Sequence, residues 1–390
     1  MISVQEAKKI ISQQVKPGTT QTLPLQAAHG LTLAADVIAE VDIPGYPQSS
    51  MDGYALRFQD AGRPLQVTGE MAAGTAIQLH IHAGEATRIF TGAPLPAGAD
   101  TVVMQEKTAL ENGRLIIKDE ALQQAMNVRG TGAEVKAGTV AMAAGTTLTA
   151  AALGFLAGIG LTGVVVYPPP GVTILLTGNE LQAPGQPLAF GQVYESSSVM
   201  LMAALQKAGV KDIGILKAAD DRQALSDALA KALRQSDVVL LTGGVSVGDY
   251  DYVVGAAAAC GVQQQFHKIK QRPGKPLFFG TAGDKIVFGL PGNPSSSLVC
   301  FYEYVLPALE KMMQQESRIK ELPATLTHGY EKGQGLTHFL KGNYSDGRAT
   351  PLHAQESFRM HSFAAANCLI VLPEDAEHFA AGDQVAVHLL

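Results

Sequence analysis

The sequence predicts a multidomain α/β plus β protein, with a central doubly wound α/β domain, a β-rich N-terminal region and a small C-terminal β-domain. Three observations predict it. From Gly171 onward, apolar runs of strand length alternate strictly with helical ones. Residues 49–134 are rich in glycine and turn signals between short extended runs. After Pro323 only short alternating runs remain, among them Cys368–Leu372 and Gln384–Leu389, as in a small β-domain. At 390 residues the chain exceeds what one hydrophobic core normally serves.

Taken in order, Met1–Lys16 mixes charge with an amphipathic pattern and reads as an opening helix rather than a basic and apolar leader. Short extended pieces follow to about residue 48. Leu148–Tyr167 carries no charge and is long enough to span a membrane, but Gly154, Gly158, Gly160 and Gly163 divide it. A short helix through Ala157, a glycine break and a β-branched strand at Val164–Val166 explain it better. The alternation then runs through a strand at Val172–Leu176, a helix at Ser196–Lys207 closed by Gly209, and a strand at Asp212–Leu216. Next come a helix at Asp221–Leu233 with aspartate at its mouth, a strand at Asp237–Leu241 and a helix at Tyr252–Ala259 ending at Gly261. Pro276–Phe279 and Lys285–Gly289 continue the sheet.

Two turns in this region carry chemistry. In Thr242-Gly-Gly-Val-Ser-Val-Gly-Asp-Tyr-Asp251 a buried strand empties into small residues before a helix. Glycines let a backbone approach a phosphate, Ser246 and free amides donate, and the helix start adds partial positive charge. Asp249 and Asp251 beside such an anion imply an intervening divalent cation or proton. The second turn, Gly289-Leu-Pro-Gly-Asn-Pro-Ser-Ser-Ser297, places Asn293 as an N-cap and Pro294 as a first helical residue. One such turn is ordinarily just a capped helix. Two at the strand C-ends of one sheet mark the edge where open α/β sheets bind ligands.

Composition excludes other classes. With 29 Lys+Arg against 35 Asp+Glu and no dense basic tract, nucleic acid is not an expected partner, and nothing outside residues 148–167 approaches a membrane span. Cys260, Cys300 and Cys368 are far apart without metal-ligand spacing and read as free thiols of a reducing cytosol.

Seven motifs stand in order: Met51-Asp-Gly-Tyr-Ala55, Arg88-Ile-Phe-Thr-Gly-Ala-Pro94, Val102-Val-Met-Gln-Glu106, Thr177-Gly-Asn-Glu-Leu181, Gly243-Gly-Val-Ser-Val-Gly248, Pro273-Gly-Lys-Pro276 and Leu290-Pro-Gly-Asn-Pro294. Each is short, but together they are specific. From near residue 20 to its end the chain resembles the MoeA family of molybdopterin molybdenumtransferases, related to the gephyrin E domain. The resemblance implies a cytoplasmic homodimer of four-domain subunits. Their expected extents are an elongated N-terminal domain at 1–48 with 135–168, an inserted β-rich domain at 49–134, a molybdopterin-binding α/β domain at 171–318 and a barrel-like domain at 319–390. It also implies insertion of molybdate into adenylylated molybdopterin with Mg2+-assisted release of AMP. Asp52 and Thr91 of one subunit would face Glu180, Asp220 and Asp251 of its partner. The upstream adenylyltransferase is a further candidate partner.

The residue types suit that chemistry. Amides at Gly243, Gly244, Ser246 and Gly248 and around Pro291, Asn293, Pro294 and Ser295, with Lys268, Arg272 and Lys275, can hold a pyrophosphate-like anhydride. Glu180, Asp220 and Asp251 offer hard oxygens to Mg2+. Molybdate, itself an oxyanion, needs donors such as Arg129 and Ser357. Plainer readings stand beside these. Asp220 and Asp221 sit where helix caps belong, Asp52 before Gly53 could shape a turn, and Lys275 could be a solvated loop charge. Glu180 closes an apolar strand, where an acid is rarely buried without a partner. His80 and His82 share one face of an expected strand, an arrangement more often idle than metal-binding.

The chain departs from the family pattern at Asn179, Glu134, Glu195 and Arg272, which changes charge and shape at expected pocket positions. Competing readings are a paralogue preferring another oxyanion such as tungstate, an adenylyltransferase of the preceding step, and a non-catalytic scaffold. The adenylyltransferase would resemble the α/β domain alone, and a scaffold has no need of a carboxylate cluster in a phosphate cleft.

Overall fold

The computed structural model describes residues 1–243 and 252–390, and the chain divides into two compact units, Thr22–Val165 and Met1–Gln21 with Val166–Leu390. In the first unit, six strands form a sheet in the order Thr101–Met104, Gly53–Leu56, Glu85–Ile89, Leu65–Met71, Arg114–Ile117, Thr108–Glu111. Adjacent residues point to opposite faces of a strand. Leu56 and Val103 accordingly join Leu65, Ala86 and Leu115 in one cluster, while Ala55 and Val102 join Met71, Ile89 and Ala93 in another. The sheet is therefore packed on both faces. Gly53 cannot be replaced within it, because a Cβ there would lie 1.8 Å from the Val103 carbonyl oxygen.

Residues 148–167 form the predicted helix, break and strand. Thr149 caps the Ala150–Gly158 helix through the Ala152 N–H, Gly160 takes a left-handed φ of 92°, and Gly163–Tyr167 is extended. Among the described residues no helix is long and apolar enough to cross a membrane.

The second unit holds the doubly wound sheet. Its order is Ile213–Ala218, Val172–Thr177, Val238–Thr242, Lys285–Leu290, Phe278–Ala282, Gln263–His267, and the first four strands are parallel. Phe278–Ala282 pairs antiparallel with both its neighbours, which the expectation of a continuing parallel sheet did not include. The cause is local. Only Gly283 and Asp284 separate Ala282 from Lys285, and so short a connection permits a hairpin but not a crossover.

Helices cover both faces. Val172, Ile174 and Leu176 pack with Leu201, Leu205 and Phe288, whereas Leu175 packs with Leu225, Leu229, Val239 and Val253. Each large aliphatic side chain so buried contributes about 1.5–3 kcal/mol. The helices begin where local chemistry allows. Asp221 accepts from the N–H groups of Gln223 and Ala224 at 3.0 and 2.9 Å and starts Arg222–Gln235.

Beyond it, Glu321–Leu326, Thr337–Ser345, Arg348–Pro351, Cys368–Leu372 and Gln384–Leu389 close into a barrel, because Thr337–Ser345 pairs both with Arg348–Pro351 and with Cys368–Leu372. Gln271–Arg272 adds to its edge beside Thr337 and His338. A polar chain centred on the buried Glu303 and His388 ties this barrel to the helical layer. Glu303 lies 2.5 Å from Lys8 Nζ and 2.7 Å from His388 Nδ1, and His388 Nε2 lies 3.3 Å from Glu321. Burial alone would raise the Glu303 carboxyl, but the His388 hydrogen bond and the Lys8 charge outweigh it and hold that carboxyl below the usual range.

Candidate functional site

In the sheet the chain leaves Val172–Thr177 toward one edge and returns through Val238–Thr242 toward the other, so the strand order reverses between these two neighbours. A crevice opens at the carboxyl ends of such strands. Gly243 occupies this point with φ 82°, and a Cβ there would meet the Thr177 carbonyl oxygen at 2.1 Å. Only glycine lets the two strand ends approach so closely. Gly244, Ser246, Gly248 and Asp251 lie outside the described residues.

Thr177, Asn179 and Asp220 meet here. The Asp220 N–H donates to Asn179 Oδ1 at 3.3 Å, and the Thr177 hydroxyl lies 3.4 Å from Asp220 Oδ1. Since Asp221 does the capping, the Asp220 carboxylate is released from the plainer role its position suggested. Glu180 differs from expectation. The strand ends at Thr177, and Glu180 stands exposed on the following turn, where an acid needs no buried partner. Among the described residues no three His, Cys, Asp or Glu side chains group as a metal site.

A cleft of about 1090 Å³ gathers Glu180, Arg272, Lys275, Pro291, Asn293, Pro294 and Ser357. Its far wall comes from the barrel, through residues 355–358. Asn293 does stand at the N-cap position of the Pro294–Cys300 helix, but its side chain makes no cap bond. Instead its amide nitrogen donates to Ser357 Oγ at 2.8 Å. Ser295 is 1% exposed and its hydroxyl finds no protein partner among the described residues. Lys268 does not line this cleft. It holds a left-handed φ of 80° and spends its N–H on the Leu277 carbonyl at 3.1 Å.

The Ser357 loop is held from beneath by Lys341, a residue sequence reasoning passed over. Its buried ammonium donates to the carbonyls of Ala354, Glu356 and Arg359 at 2.7, 3.3 and 3.1 Å, and Gln355 bonds the Lys341 main chain. Burial pulls its pKa below the usual lysine value. A strand lysine gives no signal in sequence, because its three acceptors are main-chain atoms. Nearby, burial and the Lys332 and Arg272 charges push His338 down to about 4, so it is neutral at pH 7.

Glu195, one of the departures, is buried and satisfied by Ser198, whose N–H and hydroxyl donate to its two oxygens at 2.7 and 2.5 Å. It therefore serves the start of the Ser197–Lys207 helix. Cys300 and Cys368 are buried free thiols, Cys368 pushed up by burial to about 11, and both are poor nucleophiles.

In the Thr22–Val165 unit, Asp52 is exposed and its Oδ1 accepts from both the N–H and the hydroxyl of Thr91, each at 2.8 Å. These two bonds hold the Asp52 carboxyl below the usual range, with the Arg88 charge assisting. Arg129 and Glu134, both exposed, line a separate cleft of about 690 Å³ with Tyr46 and Gln48. His80 and His82 do not share a strand. Between the left-handed turns at Gly74 and Gly84 only an isolated His80–Ala97 bridge forms, and both rings are exposed, 4.7 Å apart.

Comparison with known proteins agrees along the whole chain. Residues 2–160 match the model of the MoeA N-terminal region (domain I and II), 173–311 that of a probable molybdopterin binding domain, and 323–390 that of the MoeA C-terminal region (domain IV). The chain is similar to a molybdopterin molybdenumtransferase of Haemophilus influenzae, 34% identical with all of both chains covered. It is 37% identical to one of Nostoc sp., covering 97% of this chain and 90% of that protein. The crystal structure of a molybdopterin biosynthesis MoeA protein from Pyrococcus horikosii superposes with a TM-score of 0.87 at 28% identity, covering 100% and 99% of the two chains.

Proposed function

The chain belongs to the MoeA family of molybdopterin molybdenumtransferases, and from that premise we propose that it inserts molybdate into adenylylated molybdopterin and releases AMP, with Mg2+ as cofactor. The observation that carries this reading is the combination, in one cleft at the strand C-ends, of the cations Arg272 and Lys275, the amide of Asn293 and the carboxylate of Glu180. Anhydride binding asks for the first three, and a metal for the fourth.

In this reading Arg272 and Lys275 neutralise the bridging phosphates, Arg272 as a planar two-pronged donor. Asn293 and Ser357, already bonded to each other, fix the opposite wall. Glu180 and Asp220 suit Mg2+ as hard oxygen donors not committed to helix capping, and Asp251 is the proposed third. Lewis-acid stabilisation of the leaving phosphate is what that ion supplies. Arg129 and Ser357 are assigned to molybdate, and Asp52 with Thr91 to the reacting groups. A homodimer would bring Asp52 and Thr91, and with them Arg129 of the same unit, from a partner subunit.

The test is AMP release from adenylylated molybdopterin, with and without molybdate. Molybdate-dependent release that requires Mg2+ is expected. Absence of release under both conditions, from protein that still binds the substrate, would leave a scaffold as the better reading.

A further inference from the structure

Arg88 lies on the Glu85–Ile89 strand directly across from Tyr54. Its guanidinium carbon sits 5.2 Å from the Tyr54 ring centroid and 4.8 Å from that of Phe90. Between those rings its planar face is fixed, leaving the edge to donate. One nitrogen donates to the Gly53 carbonyl at 2.8 Å and the other to Gln105 Oε1 at 2.5 Å. The Gln105 N–H in turn donates to the Asp52 carbonyl at 3.1 Å. These bonds close a ring through Asp52, Gly53, Arg88 and Gln105. On the other side, Gly53 is pinned against the Val103 backbone.

We propose that Arg88 is a positioning residue for the Asp52 carboxylate, bracing the Gly53 carbonyl and the Gln105 side chain that border the Asp52–Gly53 peptide and thereby fixing where the carboxylate points. Two observations favour this over a role in stability alone. Arg88 is only half-buried, and both its hydrogen bonds go to groups that border Asp52, the Gly53 carbonyl and the Gln105 side chain. Its charge adds to the hydrogen bonds that hold the carboxyls of Asp52 and Glu106 below their usual range. A lysine could supply the charge but not two divergent bonds in one plane. The proposal rests on the assignment of Asp52 to the reaction.

The test uses the full chain with Arg88→Gln and Arg88→Lys, following the Asp52 side-chain carboxyl carbon by NMR titration alongside kcat and KM for AMP release. Both variants are expected to keep the parent circular dichroism. Arg88→Gln should move the Asp52 titration upward, and both should lower kcat about tenfold or more with KM changed less than about threefold, because a misplaced group costs turnover more than binding. Full kcat in Arg88→Lys beside a lowered kcat in Arg88→Gln would show that charge alone suffices and would overturn the positioning role. So would an unchanged titration with unchanged kcat in Arg88→Gln. A shifted titration with unchanged AMP release upholds the tie to Asp52 and instead removes Asp52 from the reaction. If Arg88→Gln misfolds, the kcat of Arg88→Lys decides.

Discussion

Replacing Gly243 by alanine tests whether the close approach of two strand ends is what builds the site. Two costs are separable. Gly243 has φ 82°, and the left-handed region costs an L-residue about 1–2 kcal/mol. The added methyl would also lie 2.1 Å from the Thr177 carbonyl oxygen. An ordinary carbon–oxygen approach is about 3.3 Å, so the Thr177–Gly178 backbone or the 243 turn must give way by roughly 1 Å. A shift of that size at a reacting centre can cost about 100-fold in turnover. Gly261 is the control. It has φ 75° but open space where its Cβ would lie, so Gly261→Ala carries the conformational cost without the collision. Gly243→Ala is expected to lower the denaturant midpoint more than Gly261→Ala and to lose most AMP release, while the control keeps turnover near the parent's. Equal midpoints and equal turnover in the two variants would refute the reasoning.

Asn179→Asp adds a carboxylate beside Asp220; it should lower the Mg2+ concentration for half-maximal AMP release, and superimposed Mg2+ titrations would place residue 179 outside the metal's reach. Glu303→Gln leaves Lys8 without its buried counter-charge and His388 without its carboxylate partner, so at pH 7 it should cost about 3 kcal/mol by denaturant unfolding. Because the Glu303 carboxyl is depressed, its stabilisation is present above the ordinary carboxylate range and lost as pH falls through its lower folded value; the gap between parent and variant should therefore close on acidification. Lys341→Met removes the donor to three carbonyls of the Ser357 loop, and hydrogen exchange of residues 354–359 should accelerate while the barrel strands stay protected.

The α/β alternation, an aspartate at the mouth of the 222–235 helix, the glycine break in residues 148–167 and the strands at 368–372 and 384–389 were all legible in sequence, because periodicity, capping and turn chemistry act within a few residues. The seven motifs likewise carried the family. What the sequence left open was decided between residues far apart in the chain. Which of Asp220 and Asp221 caps the helix depends on the backbone angle at which the chain leaves the sheet, and only the folded turn brings Asp220 to Thr177 and Asn179. Asn293 forgoes its local cap bond for Ser357, 64 residues away. Glu180 reads as buried from its apolar neighbours, yet the strand ends three residues earlier and leaves it in water. Lys341 and Arg88 hold main-chain carbonyls, and a carbonyl has no letter in the sequence. Hydrophobic pattern selects which faces are buried, whereas the pairing of single donors and acceptors across the fold is settled only when those faces have packed.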